Sequence, residues 1–230
     1  MKNLIKKLDW DSSFFGYEVG KVILDKDNFR KEEFKKKAID YKLVYVYSNE
    51  IVDDEKFKLV DEKVTFFQGI KNIDFPLSKN NKIKSFDLEQ DDLNNLIELG
   101  LESGVYSRFK VDSSFSNNEF ERLYKEWILN SINNKLSFEV LIGVDEHNKI
   151  LGFITVGELN KKTSGIGLIA VTEEARGKGL ARELVNSAIN ESIKRGYEII
   201  EVVTQKNNLP AMNLYFKTNF IEKEQVNIYH

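Results

Sequence analysis

The stretch Gly165-Ile-Gly-Leu-Ile-Ala-Val-Thr-Glu-Glu-Ala-Arg-Gly-Lys-Gly-Leu-Ala181 passes from an apolar run through a basic turn into helical spacing, the order strand, turn, helix. Within it, Arg176-Gly177-Lys178-Gly179-Leu180-Ala181 sets two residues without a Cβ at the positive end of the coming helix, where backbone N–H groups can approach an anion closely. Such a turn suits a phosphate. A Walker A loop is longer and ends Gly-Lys-Ser/Thr, whereas Lys178-Gly179 precedes Leu180; the dinucleotide fingerprint needs three spaced glycines, and only Gly177 and Gly179 are present. Neither nucleotide motif fits. On the turn alone, a plain tight turn remains an equal reading.

The flanking signals extend the pattern in both directions. Phe138 to Val144 and Ile150 to Val156, separated by Asp145-Glu-His-Asn-Lys149, read as an antiparallel hairpin, with Ile166 to Val171 as its third strand. A helix from Gly179 to Arg195 carries Leu180, Leu184, Val185, Ala188 and Ile189 on one face and ends at Gly196. The β-branched run Glu198 to Thr204 then lies parallel in the same sheet, as a helical crossover requires. Pro210 opens a short helix, Asn219 supplies a left-handed exit, and Phe220 to Tyr229 is a last strand. Upstream, apolar rhythm predicts helices over Asp87 to Gly100 and Asn118 to Ile132, joined by a connection through Gly104 to Asp112.

The amino-terminal part gives a Phe-rich turn Asp11 to Gly16, a strand Val19 to Leu24, a Lys-rich helix from about Arg30 to Tyr41, and strands Leu43 to Tyr47 and Lys63 to Gln68. This is a small β-α-β-type unit. Asp74 to Lys82, with one of only two prolines, reads as a linker, so the expected domains are 1–78 and 79–230. The expected fold class is α/β (α+β): a mixed central sheet with flanking helices, preceded by a smaller, truncated α/β domain.

Composition narrows the chemistry. The 230 residues hold 34 Lys and Arg against 37 Asp and Glu, a net charge of -3, which gives no general attraction for nucleic acid or an anionic membrane. Any anion site is therefore local. The chain has no cysteine and two histidines, His147 in the hairpin turn and His230, so neither thiolate chemistry nor a metal site is expected. No stretch approaches the roughly 20 apolar residues of a membrane span, and the amino terminus lacks a signal-peptide core; the expectation is a cytoplasmic protein.

A second constellation bears on the turn. Asn208, Ala211 and Tyr215 share one face of the short helix at i, i+3 and i+7. Asn208 can bond amides at the helix start and Tyr215 offers a hydroxyl; equally, Asn208 can be a simple cap and Tyr215 an ordinary aromatic.

Together the two elements resemble the GCN5-related N-acetyltransferase family, whose pattern is Arg/Gln-x-x-Gly-x-Gly/Ala followed by Asn-x-x-Ala-x-x-x-Tyr-x-x-x-Gly-Phe. Here they stand as Arg176-Gly-Lys-Gly179-Leu-Ala181 and Asn208-Leu-Pro-Ala211-Met-Asn-Leu-Tyr215-Phe-Lys-Thr-Asn219-Phe220, with Asn219 in place of the glycine. Asparagine tolerates the left-handed conformation. The resemblance covers residues 137–230 and implies acetyl-CoA as cosubstrate. The turn Arg176, Gly177, Lys178, Gly179, Leu180 and Ala181 would hold its pyrophosphate. Ile169, Ala170 and Val171 would meet pantetheine along a strand where the sheet splays, and Asn208, Ala211 and Leu214 would also bind the cofactor. Tyr215 would protonate the departing thiolate. The general base is not identified; Glu158 is one candidate, with a solvent-facing glutamate as the alternative, and an amine arriving deprotonated needs none.

A narrower resemblance, carried by Leu8-Asp-Trp-Asp-Ser-Ser-Phe-Phe-Gly16 and Tyr106-Ser-Arg-Phe-Lys-Val-Asp112, is to the TDP-fucosamine acetyltransferase branch of that family. It implies that the acceptor is the amino group of a nucleotide-linked 4-amino-4,6-dideoxy sugar, with Arg108 pairing a phosphate and Phe14, Phe15, Tyr106 and Phe109 stacking on base or sugar. The Phe-rich segment reads equally as the core of a small domain. An amino acid, polyamine or protein amine is the alternative acceptor, and a non-catalytic acyl-CoA-binding module the alternative class. The exposed carboxy-terminal strand can pair with a second copy as a homodimer, or be covered by the first domain.

Overall fold

The structure, a computed structural model, describes residues 5–24, 31–71 and 83–230. The elements run β1 (Lys6–Lys7), α1 (Asp9–Phe15), β2 (Val19–Ile23), α2 (Lys31–Ala38), β3 (Leu43–Ser48), β4 (Leu59–Gly69), β5 (Ile83–Ser85), α3 (Leu93–Ser103), α4 (Arg108–Val111) and α5 (Glu119–Ile132). They continue with β6 (Glu139–Val144), β7 (Ile150–Asn160), β8 (Thr163–Val171), a 3-10 turn (Glu173–Ala175), α6 (Leu180–Lys194), β9 (Ile199–Gln205), α7 (Leu209–Lys217) and β10 (Ile221–Tyr229). Two compact units divide the chain, Met1–Val64 with Glu224–His230, and Thr65–Lys223. The expected linker lies outside the described residues.

In the first unit the strand order is β1-β2-β3-β10. β2 and β3 are parallel, while β1 and the end of β10 pair antiparallel to them. Val22, Val46 and Tyr229 form its buried centre, and the Tyr229 hydroxyl accepts from the Val52 N–H at 2.9 Å. The expected Phe-rich turn is instead the helix α1, because Gly16 closes it in a left-handed conformation (φ 77°) with its N–H on the Ser12 carbonyl.

The second unit orders its strands β4-β9-β8-β7-β6-β5, with β4 contributing from Thr65 onward. β8 and β9 are parallel and β5 to β8 antiparallel, so the sheet is mixed. Strand alternation assigns its two faces. Val140, Ile142 and Phe153 pack with Leu96, Leu99 and Ile128 of α3 and α5. The cross-strand pair Gly143 and Gly152 instead lies under Leu180 of α6, where a Cβ on either glycine would come within 2.8 Å of a neighbouring side chain.

Two upstream expectations are corrected. The acidic segment 87–92 is not helical: the Asp91 side chain is fully buried, accepting from Lys84, the Asp87 N–H and Asn148, and Asp92 caps α3 at the N–H groups of Asn94 and Asn95. Capping side chains compete with the helix they start. The connection after Gly104 contains the short helix α4.

Candidate functional site

β8 leads into the site through an irregularity. Ile154 pairs with Ile169 but Val156 with Ile166, so Thr155 faces both Gly167 and Leu168 across a bulge. Pairing of β8 with β9 ends at the same level, at Ile166 with Val202, although the strands continue to Val171 and Gln205. The sheet thus forks.

Beyond the fork lies a cleft of about 850 Å³, lined on the β8 side by Ile169, Ala170 and Val171, at the turn by Arg176 through Arg182, and on the α7 side by Asn208, Ala211 and Leu214. All the residues expected to meet acetyl-CoA, Tyr215 apart, come together here. α3 and the segment after it supply a further wall, Glu102, Ser103, Val105 and Tyr106.

The turn is built as an anion cradle. Gly177 and Gly179 adopt φ 74° and 88°, and an added Cβ at either would meet nothing within 4 Å, so the turn is open on that side. Gly179 is the N-cap of α6 and offers no side-chain cap. Among the described residues, no protein acceptor takes the backbone N–H of Gly177, Gly179, Leu180, Ala181 or Arg182. These are unpaired donors at the positive end of a fifteen-residue helix, to which the cleft adds Lys178, Arg182 and Lys217. The residues present fit a pyrophosphate.

Across the cleft, Pro210 sits in the first turn of α7 and the Asn208 Oδ1 accepts from the Ala211 N–H at 3.2 Å. Asn208 is therefore a helix cap that also borders the cleft. Tyr215 does not line it: its ring is buried, 5.6 Å from Phe66 and 5.8 Å from Phe220. Burial raises its phenol pKa well above the ordinary 10.0, so the hydroxyl stays protonated at neutral pH.

The sequence that builds these two walls and the turn matches the acetyltransferase (GNAT) family model over residues 96–220. The chain belongs to that family. Family members use acetyl-CoA. Among curated relatives, the chain is 28% identical over 130 residues to the dTDP-fucosamine acetyltransferase of Escherichia coli O6:H1, covering 56% of this chain and 55% of that protein. It is 24% identical over 143 residues to the spore coat polysaccharide biosynthesis protein SpsD of Bacillus subtilis, covering 62% of this chain and 48% of that one. The chain thus spans about half the length of these relatives. A functionally unknown conserved protein from Staphylococcus epidermidis shares the fold at TM-score 0.62 and 15% identity, over 92% of this chain and 82% of its own.

Three of the expected site residues stand elsewhere. Glu158 pairs with Ser164, five residues before Ile169 and so on the order of 17 Å along the strand, and it accepts from the Tyr197 hydroxyl at 2.8 Å. Its carboxylate is outside the cleft. Phe109 is a core residue, packed on Phe115 and Trp127, and the Arg108 guanidinium lies 4.3 Å over the Phe109 ring; neither lines the cleft. Tyr106, two residues earlier than Arg108, does line it. The sequence reading missed Glu102, Arg182, Asn213 and Lys217. Lys217 had a visible signal, since Asn208, Ala211, Leu214 and Lys217 recur every third residue along α7.

Among the described residues no group of three or more metal-ligating side chains is placed to hold a metal, and no helix is long and apolar enough to cross a membrane.

Proposed function

We propose that the chain is an acetyl-CoA-dependent N-acetyltransferase whose acceptor is the amine of a nucleotide-linked amino sugar. The observation that carries the cofactor half is the set of unpaired amides of Gly177, Gly179, Leu180, Ala181 and Arg182 at the cleft that α7 walls on its other side. In the reaction the acceptor nitrogen bonds to the acetyl carbon, the carbon–sulfur bond breaks, and the amine proton passes to water. The turn amides hold the pyrophosphate, and β8 beyond its fork offers free backbone groups to the pantetheine arm. Tyr215 is assigned the thiolate's proton on the family resemblance alone: burial keeps it neutral, its ring is not part of the cleft lining, and water returns the proton it gives.

The acceptor half is supported by the names of the two curated relatives, both of which refer to sugars or polysaccharide, and by Tyr106 on the cleft wall, an aromatic surface of the kind that stacks on a base or sugar ring. The test is a thiol-release assay with acetyl-CoA across dTDP-linked amino sugars, polyamines and amino acids. Turnover with the nucleotide sugars is the expected result; turnover with the other amines alone refutes the acceptor assignment, and no turnover with any amine together with no acetyl-CoA binding refutes the reading as a whole.

A further inference from the structure

Thr155 lies in the middle of β7 and is 1% exposed, so its hydroxyl is out of reach of solvent. Its Oγ1 accepts the Leu168 N–H at 2.9 Å, in place of the ladder carbonyl that the β8 bulge removes. Gly167, the other bulge residue, leaves room for that hydroxyl: a Cβ there would stand 2.8 Å from Oγ1. The bulge immediately follows Ile166, the last β8 residue paired with β9, and immediately precedes Ile169, the first to line the cleft. One hydroxyl therefore sits at the point where β8 leaves its neighbour.

We infer that Thr155 is a positioning residue, whose hydroxyl fixes the β8 bulge and thereby aims the backbone of Ile169 to Val171 into the cleft. The inference rests on the acetyltransferase reading. The mechanism is geometric. A bulge leaves one residue per strand pair without a ladder partner and can relax into neighbouring registers; a one-residue slip turns every following side chain and amide to the opposite face. Binding Leu168 from the side chain holds the extra residue at one place. Reactant placement is steep in rate, since a displacement near 1 Å can lower turnover on the order of 10²-fold.

The test compares wild type, Thr155→Val, Thr155→Ser and Gly167→Ala by thiol release, acetyl-CoA calorimetry and thermal unfolding. Thr155→Val keeps the shape and loses the acceptor. It is expected to lower kcat tenfold or more, on the scale that misplacement reaches, at a temperature where unfolding shows it still folded, whereas Thr155→Ser restores turnover to within about threefold, half a power of ten. Gly167→Ala reaches the same contact from the other side and is expected to lower kcat likewise, so that the inference stays testable if Thr155→Val does not fold. A folded Thr155→Val or Gly167→Ala with wild-type kcat overturns it, as does a Thr155→Ser as impaired as the valine. A wild type that neither binds nor consumes acetyl-CoA is a different result, read before any variant, and overturns the underlying reading.

Discussion

Arg176 of the glycine turn reaches across the cleft to Glu102 of α3, with Nη2 3.5 Å from Oε2 and both side chains 57% exposed. The carboxylate therefore occupies the cation that an incoming phosphate would use. Exposed pairs of this kind are worth about 0.2–1 kcal/mol, so the competition is modest. Glu102→Gln is expected to tighten acetyl-CoA binding by up to about fivefold at low salt, with the advantage shrinking toward 1 M salt as the charges are screened. Calorimetry at two ionic strengths checks this; weaker binding by the glutamine variant would mean that Glu102 helps rather than competes.

Gly179→Ala separates backbone conformation from space. The Cβ would meet nothing, yet φ 88° is costly for alanine, about 1–2 kcal/mol. Relief of that strain moves the turn amides, so the expected result is acetyl-CoA affinity lower by about 5- to 30-fold. Unchanged affinity would show that the amides do not depend on this turn.

Tyr215→Phe is expected to lower kcat by about 10²- to 10⁴-fold while leaving the acetyl-CoA dissociation constant within about twofold, because the proposed role of the hydroxyl is to protonate the leaving thiolate. The pH dependence has a definite sign. The folded protein holds the Tyr215 proton above the ordinary 10.0, so above that pH the unfolded chain releases it first and stability falls as pH rises further; below 10.0 Tyr215 contributes no slope. Denaturant unfolding of wild type and Tyr215→Phe between pH 8 and 11, roughly one unit beyond a free phenol at the upper end, checks it, the variant lacking that part of the alkaline loss.

Asn208→Ala removes the cap on the Ala211 N–H at the start of α7. A loss of about 0.5–2 kcal/mol in unfolding free energy is expected, with weaker acetyl-CoA binding because α7 is one wall of the cleft. Loss of binding with no loss of stability would assign Asn208 to the ligand rather than to the helix.

What the sequence reveals here is what local chemistry determines. The glycine turn, the hairpin through Asn148 (φ 62°), and the left-handed exits at Gly196 (φ 83°) and Asn219 (φ 66°) all depend on residues near one another in the chain, and the structure has each of them. The cleft's far wall does not. Glu102 reaches Arg176 only because α3 packs on β7 and β8, a contact between segments some seventy residues apart. Glu158 shows the limit of strand assignment without register: the strand was legible, but the end of it that borders the cleft is set by pairing with β8 through a bulge that no pattern of apolar residues marks. Phe109 shows another. Sixteen phenylalanines are too many for an aromatic to identify a site, and this one closes the core beside Trp127.

The most direct test of the cofactor cradle is amide hydrogen exchange of the segment 176–182 with and without acetyl-CoA. Unpaired amides exchange fast, and those that bind a pyrophosphate are expected to slow by at least about tenfold, while the α2 segment of the first unit is unchanged. Fast exchange through 176–182 at saturating acetyl-CoA would contradict the assignment of that turn.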